Sequence, residues 1–583
     1  MLLKETKNWI KEERSRGVLF LVQRIDELTY PYTIDSYRAP TTNAPFLARE
    51  CLSVLDDYEE HDVNPAHVER IWEELEARMS GNFVAKSIMR VPWEEYNKVD
   101  KNDFDAIKGM LRVISTELQP IKYLQCCFDF AKETAPNELE RMDFLAREIV
   151  TTAVNCGIDV AYLSKLVGDY FFGAKAREDD EALEDFFQEI IPKRRKYSVH
   201  LTVKTDDNLV KKEISDLFSV QVSADEPPAI SGCGETLELG EGEVFITIQK
   251  IEVPDPFNAL SVAKKTVARL QDMYGLFYHK GSYKIGRHAL ILQDGDEVEV
   301  FKLRADVNSM EFIRDNRKGL AGRKLEGLIK KVNLPVGSDR EKFFRVVDFH
   351  GMSLGSEIPE NQLINLWTSL ETIAPSQKAK SIVGSVVDGI VPFIGLQYLS
   401  RIFGNLTRDL KRWDDAKLKS ALRSGDISKD LTLTEQVFSL TVLPEHDETC
   451  SKLLAHMDEF PLLRKRIFEL NKKCQSGEKL VSWVEKHQRN VEQQIYRIYR
   501  ARNSIVHSAS DSRSIGNLIV SAHDYFDQTF ALSSEMCSRP YGFSNYSESF
   551  SFCRLAYKKY KADISKIEEI SEVDVSTVIW GYD

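Results

Sequence analysis

Between Val491 and Ser512 the chain reads VEQQIYRIYRARNSIVHSASDS. From Gln493 to His507 this segment holds three arginines and no acid. It does so in a chain with 78 Lys+Arg against 91 Asp+Glu and a formal net charge of −13. Arg502, Asn503 and His507 form the string R-N-x-x-x-H. An unperturbed imidazole titrates near neutrality, so a histidine here can take or give a proton. A guanidinium is a planar fork that holds two oxygens of an oxyanion at once. Proton transfer beside an oxyanion clamp is the chemistry these residue types offer. Asn503 and His507 are four apart and share a helix face. Arg502 sits about 140° from His507 around a regular helix. Its long side chain can turn toward the same pocket or meet the pocket of a second copy.

The spacing R-x-x-x-x-H occurs at Arg195/His200, Arg345/His350 and Arg502/His507. The first sits at a junction into a strand. The second lies in FFRVVDFH, where alternation points Arg345 and His350 to opposite faces. Only the third combines a helical pattern, a following Asn, neighbouring arginines and small polar residues downstream. No Walker loop and no H-E-x-x-H is present. GLAGRKLEGLIKK (Gly319–Lys331) lacks phosphate-loop spacing and reads as a helix with a basic face. The nine cysteines form no C-x-x-C pair; Cys126 and Cys127 are adjacent in an apolar helical stretch and read as core thiols. No metal site and no cofactor are expected.

The elements that must position this segment divide into three regions. The length of 583 residues suggests about three domains. With 43% hydrophobic and 29% charged residues, the composition excludes disorder and a disulfide scaffold. The expected fold class is multidomain α+β. Residues 1–195 form a mostly helical N-terminal region, with patterns such as His67–Met79 and Met142–Ile158. An acidic run, Ala176–Ile191, reads as a solvated helix face, and KRRK (Lys193–Lys196) marks a junction. Residues 196–352 form a strand-rich α+β domain. Tyr197–Lys204, Gly242–Val253 and Asp296–Arg304 alternate at period two, with a helix over Asn258–Phe277 between them. QDGDE reads as a hairpin turn, and Phe343–Gly351 as the last strand. Residues 353–583 form an all-α region. Its expected helices are Ile358–Ile373, 395–413, 415–423, 449–472, 478–507 and Ser514–Leu532. Asp511 and His523 read as helix-flanking residues, and the final fifty residues carry no clear pattern. The best membrane candidate, Ser381–Leu399, contains Asp388, Pro392 and Gln397 and reads as a buried helix pair or helix–loop rather than a span. No membrane contact is expected, and the cytoplasm is the expected location.

An R-N-x-x-x-H string at the end of a late helix, in an all-helical C-terminal region, resembles the HEPN superfamily. The upstream helix NLWTSLETI (Asn365–Ile373), with its W-x-x-L-E core, strengthens the likeness. That helix, followed some 130 residues later by ARNSIVH, is similar to the ApeA-like HEPN proteins of bacterial anti-phage defence. The specific likeness covers about residues 358 to 530; the first 350 share only the layout. It implies a metal-independent endoribonuclease, dimeric through its C-terminal domain. RNA would be cut by its own 2′-OH, leaving a 2′,3′-cyclic phosphate and a 5′-OH. His507 would deprotonate the 2′-OH or protonate the leaving oxygen. Arg502 would hold the phosphorane oxygens, and Asn503 would orient His507 or bond the phosphate. Arg497 and Arg500 would hold flanking phosphates, and Tyr499 or Tyr496 would stack on a base. Trp367 and Glu371 would be structural supports, with Glu371 a candidate partner of Arg502. The partners would be RNA, transfer RNA among the candidates, a second copy, and a phage protein that releases a latent enzyme.

Three ordinary readings compete. Arg497 and Arg500 can be a solvated face or partners for acids, and the two tyrosines can be core or interface residues. A HEPN-like domain can also be a non-catalytic RNA- or nucleotide-binding module or a dimerising scaffold. The α+β region can itself be an enzyme, although it shows no paired carboxylates and no Gly-rich loop.

Overall fold

In the computed structural model the described residues are 4, 9, 13–30, 33–61, 65–96, 98–100, 103–173, 180–204, 218–231, 233–276, 279, 283–295, 298–305, 310, 318–331, 337–375, 381–508, 515–538 and 542–581. The N-terminal helices are α1 (Glu13–Thr29), α2 (Ala44–His61), α3 (Pro65–Met79), α4 (Phe83–Ile88), α5 (Trp93–Tyr96), α6 (Phe104–Glu117), α7 (Pro120–Glu133), α8 (Leu139–Asn155), α9 (Val160–Val167) and α10 (Asp180–Ile190). Side-chain caps begin several of them. Asn82 accepts the Ala85 N–H, and Asp103 the Ala106 N–H. The acidic run does more than face solvent, because α10 buries Leu183, Phe186 and Phe187.

α1 is enclosed on all sides. Phe20, Leu21 and Val22 are consecutive and all inaccessible, which no single helix face allows. Arg24 and Glu27 are therefore buried with them and need partners. Arg24 Nε donates to Asp143 Oδ1 at 2.6 Å and Nη1 to Glu27 Oε2 at 2.5 Å. Arg466, from the far end of the chain, also donates to Glu27 and lies 3.9 Å over the Tyr37 ring.

The middle region is a five-stranded antiparallel sheet of β1 (Arg195–Lys204), β2 (Val220–Ser223), β3 (Glu243–Val253), β4 (Lys284–Gln293) and β5 (Glu299–Arg304), in the order β2-β3-β1-β4-β5. Helix α11 (Pro256–Gly275) is set between β3 and β4 and covers one face. Tyr197, Val199, Leu201 and Val203 alternate inward and pack with Ala259, Ala263 and Val267. The register of β1 on β4 shifts between Leu201 and Val203, and Gly286 lies there. Any Cβ at Gly286 would overlap the Thr202 hydroxyl, so the two strands can approach only at glycine. β4 and β5 pair with Gln293 opposite Glu299, and part of the expected QDGDE turn, Asp296 and Glu297, lies outside the described residues.

The C-terminal helices are α12 (Lys318–Lys331), α13 (Ser338–Leu354), α14 (Pro359–Ile373), α15 (Ile382–Leu396), α16 (Tyr398–Ser424), α17 (Leu433–Val442), α18 (Asp447–Leu454), α19 (Pro461–Lys473), α20 (Gly477–Ser508), α21 (Ile515–Met536), α22 (Tyr546–Ile564) and α23 (Val575–Trp580). α13 corrects the expected strand at Phe343–Gly351. FFRVVDFHG satisfies period two, but Phe343, Val346 and His350 also recur at helical spacing. That face packs inward while Phe344 and Val347 stay 53% and 42% exposed. α13 lies on α14 and α21, so tertiary packing selected the helix. α16 is kinked at Asp414, between the two helices expected at 395–413 and 415–423. The helix expected over 449–472 is broken into α18 and α19, with Pro461 opening the second. The unread tail folds onto the bundle: Tyr557 Oη donates to Gln488 at 3.1 Å and Trp580 Nε1 to Glu435 at 3.0 Å.

No single helix among the described residues is long and apolar enough to cross a membrane. α15 and α16 together meet length and composition criteria but are bent by 43°. α15 is sunk in protein, with Ile390, Phe393 and Leu396 inaccessible. Helices from both ends of the chain share one apolar core, which holds Phe20, Leu47 and Leu145 together with Trp367, Phe403 and Ile495. The N-terminal and C-terminal helical regions are thus packed as one body of side chains.

The seam between α9 and α11 yields a pH prediction. Asp159 caps α9 through the Ala161 N–H at 2.7 Å, while its own N–H donates to Asp255 Oδ2 at 2.9 Å. Burial and the neighbouring Asp255 push the Asp159 carboxyl up to about 6. Burial raises Asp255 as well. A raised carboxyl pKa favours the fold below the unfolded value of about 4, and that contribution is lost as pH rises through the folded value. Asp159→Asn keeps the cap and removes the charge. It is expected to raise stability near neutral pH by about 1–2 kcal/mol. It should also flatten the fall in stability between roughly pH 4 and 6. Urea unfolding across that range checks this, and an unchanged pH profile would refute it.

Candidate functional site

α20 carries the R-N-x-x-x-H segment at its C-terminal end. It has 32 residues and is about 48 Å long. Its start is gripped at Gly477, where any Cβ would overlap the Ile564 carbonyl oxygen. Further along, the His487 ring stacks on Tyr398 with centroids 3.8 Å apart. Gln494 Nε2 donates to Thr41 at 2.7 Å and to Ser521 at 3.2 Å. α20 therefore touches both α21 and the N-terminal region along its length.

The arginines of the segment have different environments. Arg497 is 7% exposed. Its Nε donates to both Glu50 oxygens at 3.1 and 3.0 Å, and its Nη2 to Glu74 Oε2 at 2.7 Å. Burial alone would depress the Arg497 pKa; Glu50 and Glu74 outweigh it and hold the pKa above its ordinary value. Arg500 also pairs with Glu50. Burial would raise the Glu50 pKa, but Arg497 and Arg500 outweigh it and hold the carboxyl below its usual range. Arg497 and Arg500, expected to hold flanking phosphates, are here paired with acids: Arg497 with Glu50 of α2 and Glu74 of α3, Arg500 with Glu50. The tyrosines are likewise engaged. Tyr496 is buried under the Arg70 guanidinium at 4.4 Å, and Tyr499 is half-buried against Trp367 with ring centroids 5.2 Å apart.

Trp367 is wholly buried on α14, and its indole N–H donates to Glu371 Oε2 at 2.9 Å. Among the described ion pairs Glu371 is not joined to Arg502. Its carboxylate fixes the tryptophan, which in turn packs against α20. The W-x-x-L-E helix and the late arginine segment, more than a hundred residues apart in sequence, are thus neighbours in space.

Arg502 behaves differently from Arg497 and Arg500. It is half-buried, its Nη1 donates to Asn503 Oδ1 at 3.0 Å, and its Nε has no acceptor among the described residues. This bond ties Arg502 to Asn503, whose helix face His507 shares by spacing. The helix is half-buried from Ala501 to Ile505 and Val506 is 48% exposed, so this end emerges at the surface. His507 lies on α20; its side chain, and residue Asp511, are outside the described residues.

Two features escaped the sequence reading. A cavity of about 680 Å³ lies where the three regions meet, with Arg38 and Arg78, Lys264 and Lys265, and Asn490 and Arg497 among its lining. Seven basic and four acidic residues line it, against the sign of the whole chain. Its residues come from ten or more separate stretches, so no local motif announces it. The second feature is a contact of His350 with His523, Nε2 to Nε2 at 2.9 Å. His523 is buried rather than helix-flanking, and His350 sits on a helix rather than a strand. No family model, no curated protein and no solved structure matches this chain. The likeness to HEPN proteins therefore rests on the residues of α14 and α20 alone.

Proposed function

We propose that the chain is a metal-independent endoribonuclease of the HEPN type, acting in anti-phage defence and held inactive until triggered. The observation that carries this reading is the Arg502–Asn503 pair at 3.0 Å near the emerging end of α20. It presents a cation and an amide on the last turns that also bear His507. In the reaction, the RNA 2′-OH loses its proton to a base and its oxygen attacks the adjacent phosphorus. The 5′-oxygen leaves and takes up a proton. His507 serves one or both proton transfers, and Arg502 holds the charge that builds on the phosphorane oxygens. A second copy would complete the cleft by bringing its own α20 end to the first. Control would act through the grip of Glu50 and Glu74 on Arg497, since a shift of α2 or α3 would be felt directly on α20. The bound RNA class, transfer RNA included, and the phage product that releases the enzyme belong to the same proposal.

One observation favours a second reading, that of a non-catalytic RNA- or nucleotide-binding module or dimerising scaffold. Two of the three arginines on this segment are already paired with Glu50. The test is to purify the whole chain from uninfected and phage-challenged cells and incubate it with total RNA in EDTA. Fragments with cyclic-phosphate and 5′-OH ends are expected from the challenged preparation. Fragments with 3′-OH ends, a need for added Mg²⁺, or intact RNA from both preparations would overturn the nuclease reading.

A further inference from the structure

His523 and Asp527 are four residues apart on α21 and share one face, and His350 reaches them from α13. His523 Nε2 lies 2.9 Å from His350 Nε2 and 3.5 Å from Asp527 Oδ1. The three ligand atoms all fall within 4.8 Å of one another. We propose that His350, His523 and Asp527 form a binding site for a divalent first-row transition ion, Zn²⁺ foremost, which clips α13 onto α21.

The geometry fits that ion class. Metal–nitrogen bonds of about 2.0–2.1 Å at a tetrahedral angle set neighbouring ligand atoms about 3.3 Å apart. The observed 2.9 and 3.5 Å bracket this value, and the third separation is within 4.8 Å. Two imidazoles and one carboxylate suit Zn²⁺, Co²⁺ or Fe²⁺, whereas Ca²⁺ and Mg²⁺ prefer all-oxygen sets. Ligand orientation is set in advance. The His350 ring stacks on Phe526 at 4.9 Å and 15°, Phe526 stacks on Phe530, and Phe530 on Phe343. This aromatic ladder runs between α13 and α21 and holds the imidazole facing its partner. The Asp527 side chain is 46% exposed, so the carboxylate supplies charge at the mouth of the site and leaves room for a water ligand. The neighbouring Asp524 is committed to Arg401 at 2.9 Å and stands outside the set.

A plain hydrogen bond between two neutral imidazoles also produces a 2.9 Å contact. The two accounts separate in one experiment on the full chain, stripped with chelator and titrated with Co²⁺. The expected result is one equivalent bound, with the visible bands of tetrahedral Co²⁺ and without a sulfur charge-transfer band, since the nine cysteines are the other candidate ligands. Zn²⁺ should displace the Co²⁺ and raise the thermal midpoint. His350→Gln and Asp527→Asn lie at half-buried and solvent-facing positions and should leave the fold intact. Each is expected to weaken binding by about 10- to 100-fold. Absence of the visible bands, a thiolate-dominated spectrum, or unchanged affinity in both variants would overturn the site. The readout is metal binding, so it stands apart from the ribonuclease reading, whose cleavage step uses no metal.

Discussion

His507→Ala is expected to abolish RNA cleavage by the activated chain while leaving its fold and its RNA affinity in place. Loss of a general acid–base group removes about 10²- to 10⁴-fold in rate. Arg502→Ala is expected to remove about 10²- to 10³-fold, the worth of one donor aimed at developing oxyanion charge. Arg502→Lys should not rescue it, because an ammonium cannot reproduce a fork that binds Asn503 and phosphate together. Both residues sit on the emerging end of α20, so their variants should unfold within about 0.5 kcal/mol of the parent. Three measurements on each variant check this: product formation in EDTA, RNA binding and urea unfolding. Full cleavage by His507→Ala would remove the nuclease reading of this segment. Loss of binding by Arg502→Ala, with no cleavage by any form of the chain, would favour the binding module.

Glu27→Ala is expected to cost about 3–5 kcal/mol, the range for removing one partner of a buried ion pair. Its carboxylate is shared by Arg24 and Arg466, which are 1% and 6% exposed. Without it the two guanidiniums face each other inside the core, with Asp143 and Asp409 as the remaining acids. Burial would raise the Glu27 pKa, but Arg466 and Arg24 outweigh it and hold the carboxyl below its usual range. A depressed carboxyl pKa adds stability above the unfolded value, and that stability is lost as pH falls through the folded value. The variant should therefore also lose part of the parent's acid sensitivity. Because Glu27 joins α1 to α19, urea unfolding should show the N-terminal and C-terminal helices melting in one transition at lower denaturant. A change below about 1 kcal/mol would show that solvent reaches these groups. A parent that melts in two transitions would refute the shared core.

The central sheet was legible because Tyr197–Lys204 and Gly242–Val253 alternate at period two, but that β1 is buried on both faces from Val199 to Val203 was decided by packing. The α14 helix was legible because Leu363, Leu366, Trp367 and Leu370 mark one helical face, all of them inaccessible. Phe343–Gly351 was misread because its apolar residues satisfy both periods, and only the surface offered by α14 and α21 decides between them. The His350–His523 contact was hidden by that misreading, for a strand would have aimed His350 elsewhere.

The candidate site divides along the same line. By itself the sequence determined a helix from about 478 to 507, a local run of positive charge in an acidic chain, and the order Arg502, Asn503, His507. These are local properties, set by residue type and by spacing within a few turns. Tertiary structure alone decided which cation stays available. Glu50 and Glu74 lie more than 400 residues upstream, yet α2 and α3 dock against α20 and neutralise Arg497 and Arg500. Arg502, a half-turn further on, lies past that contact and turns to Asn503. Burial of charge is a property of neighbours in space, and no spacing along the chain encodes which neighbours will arrive.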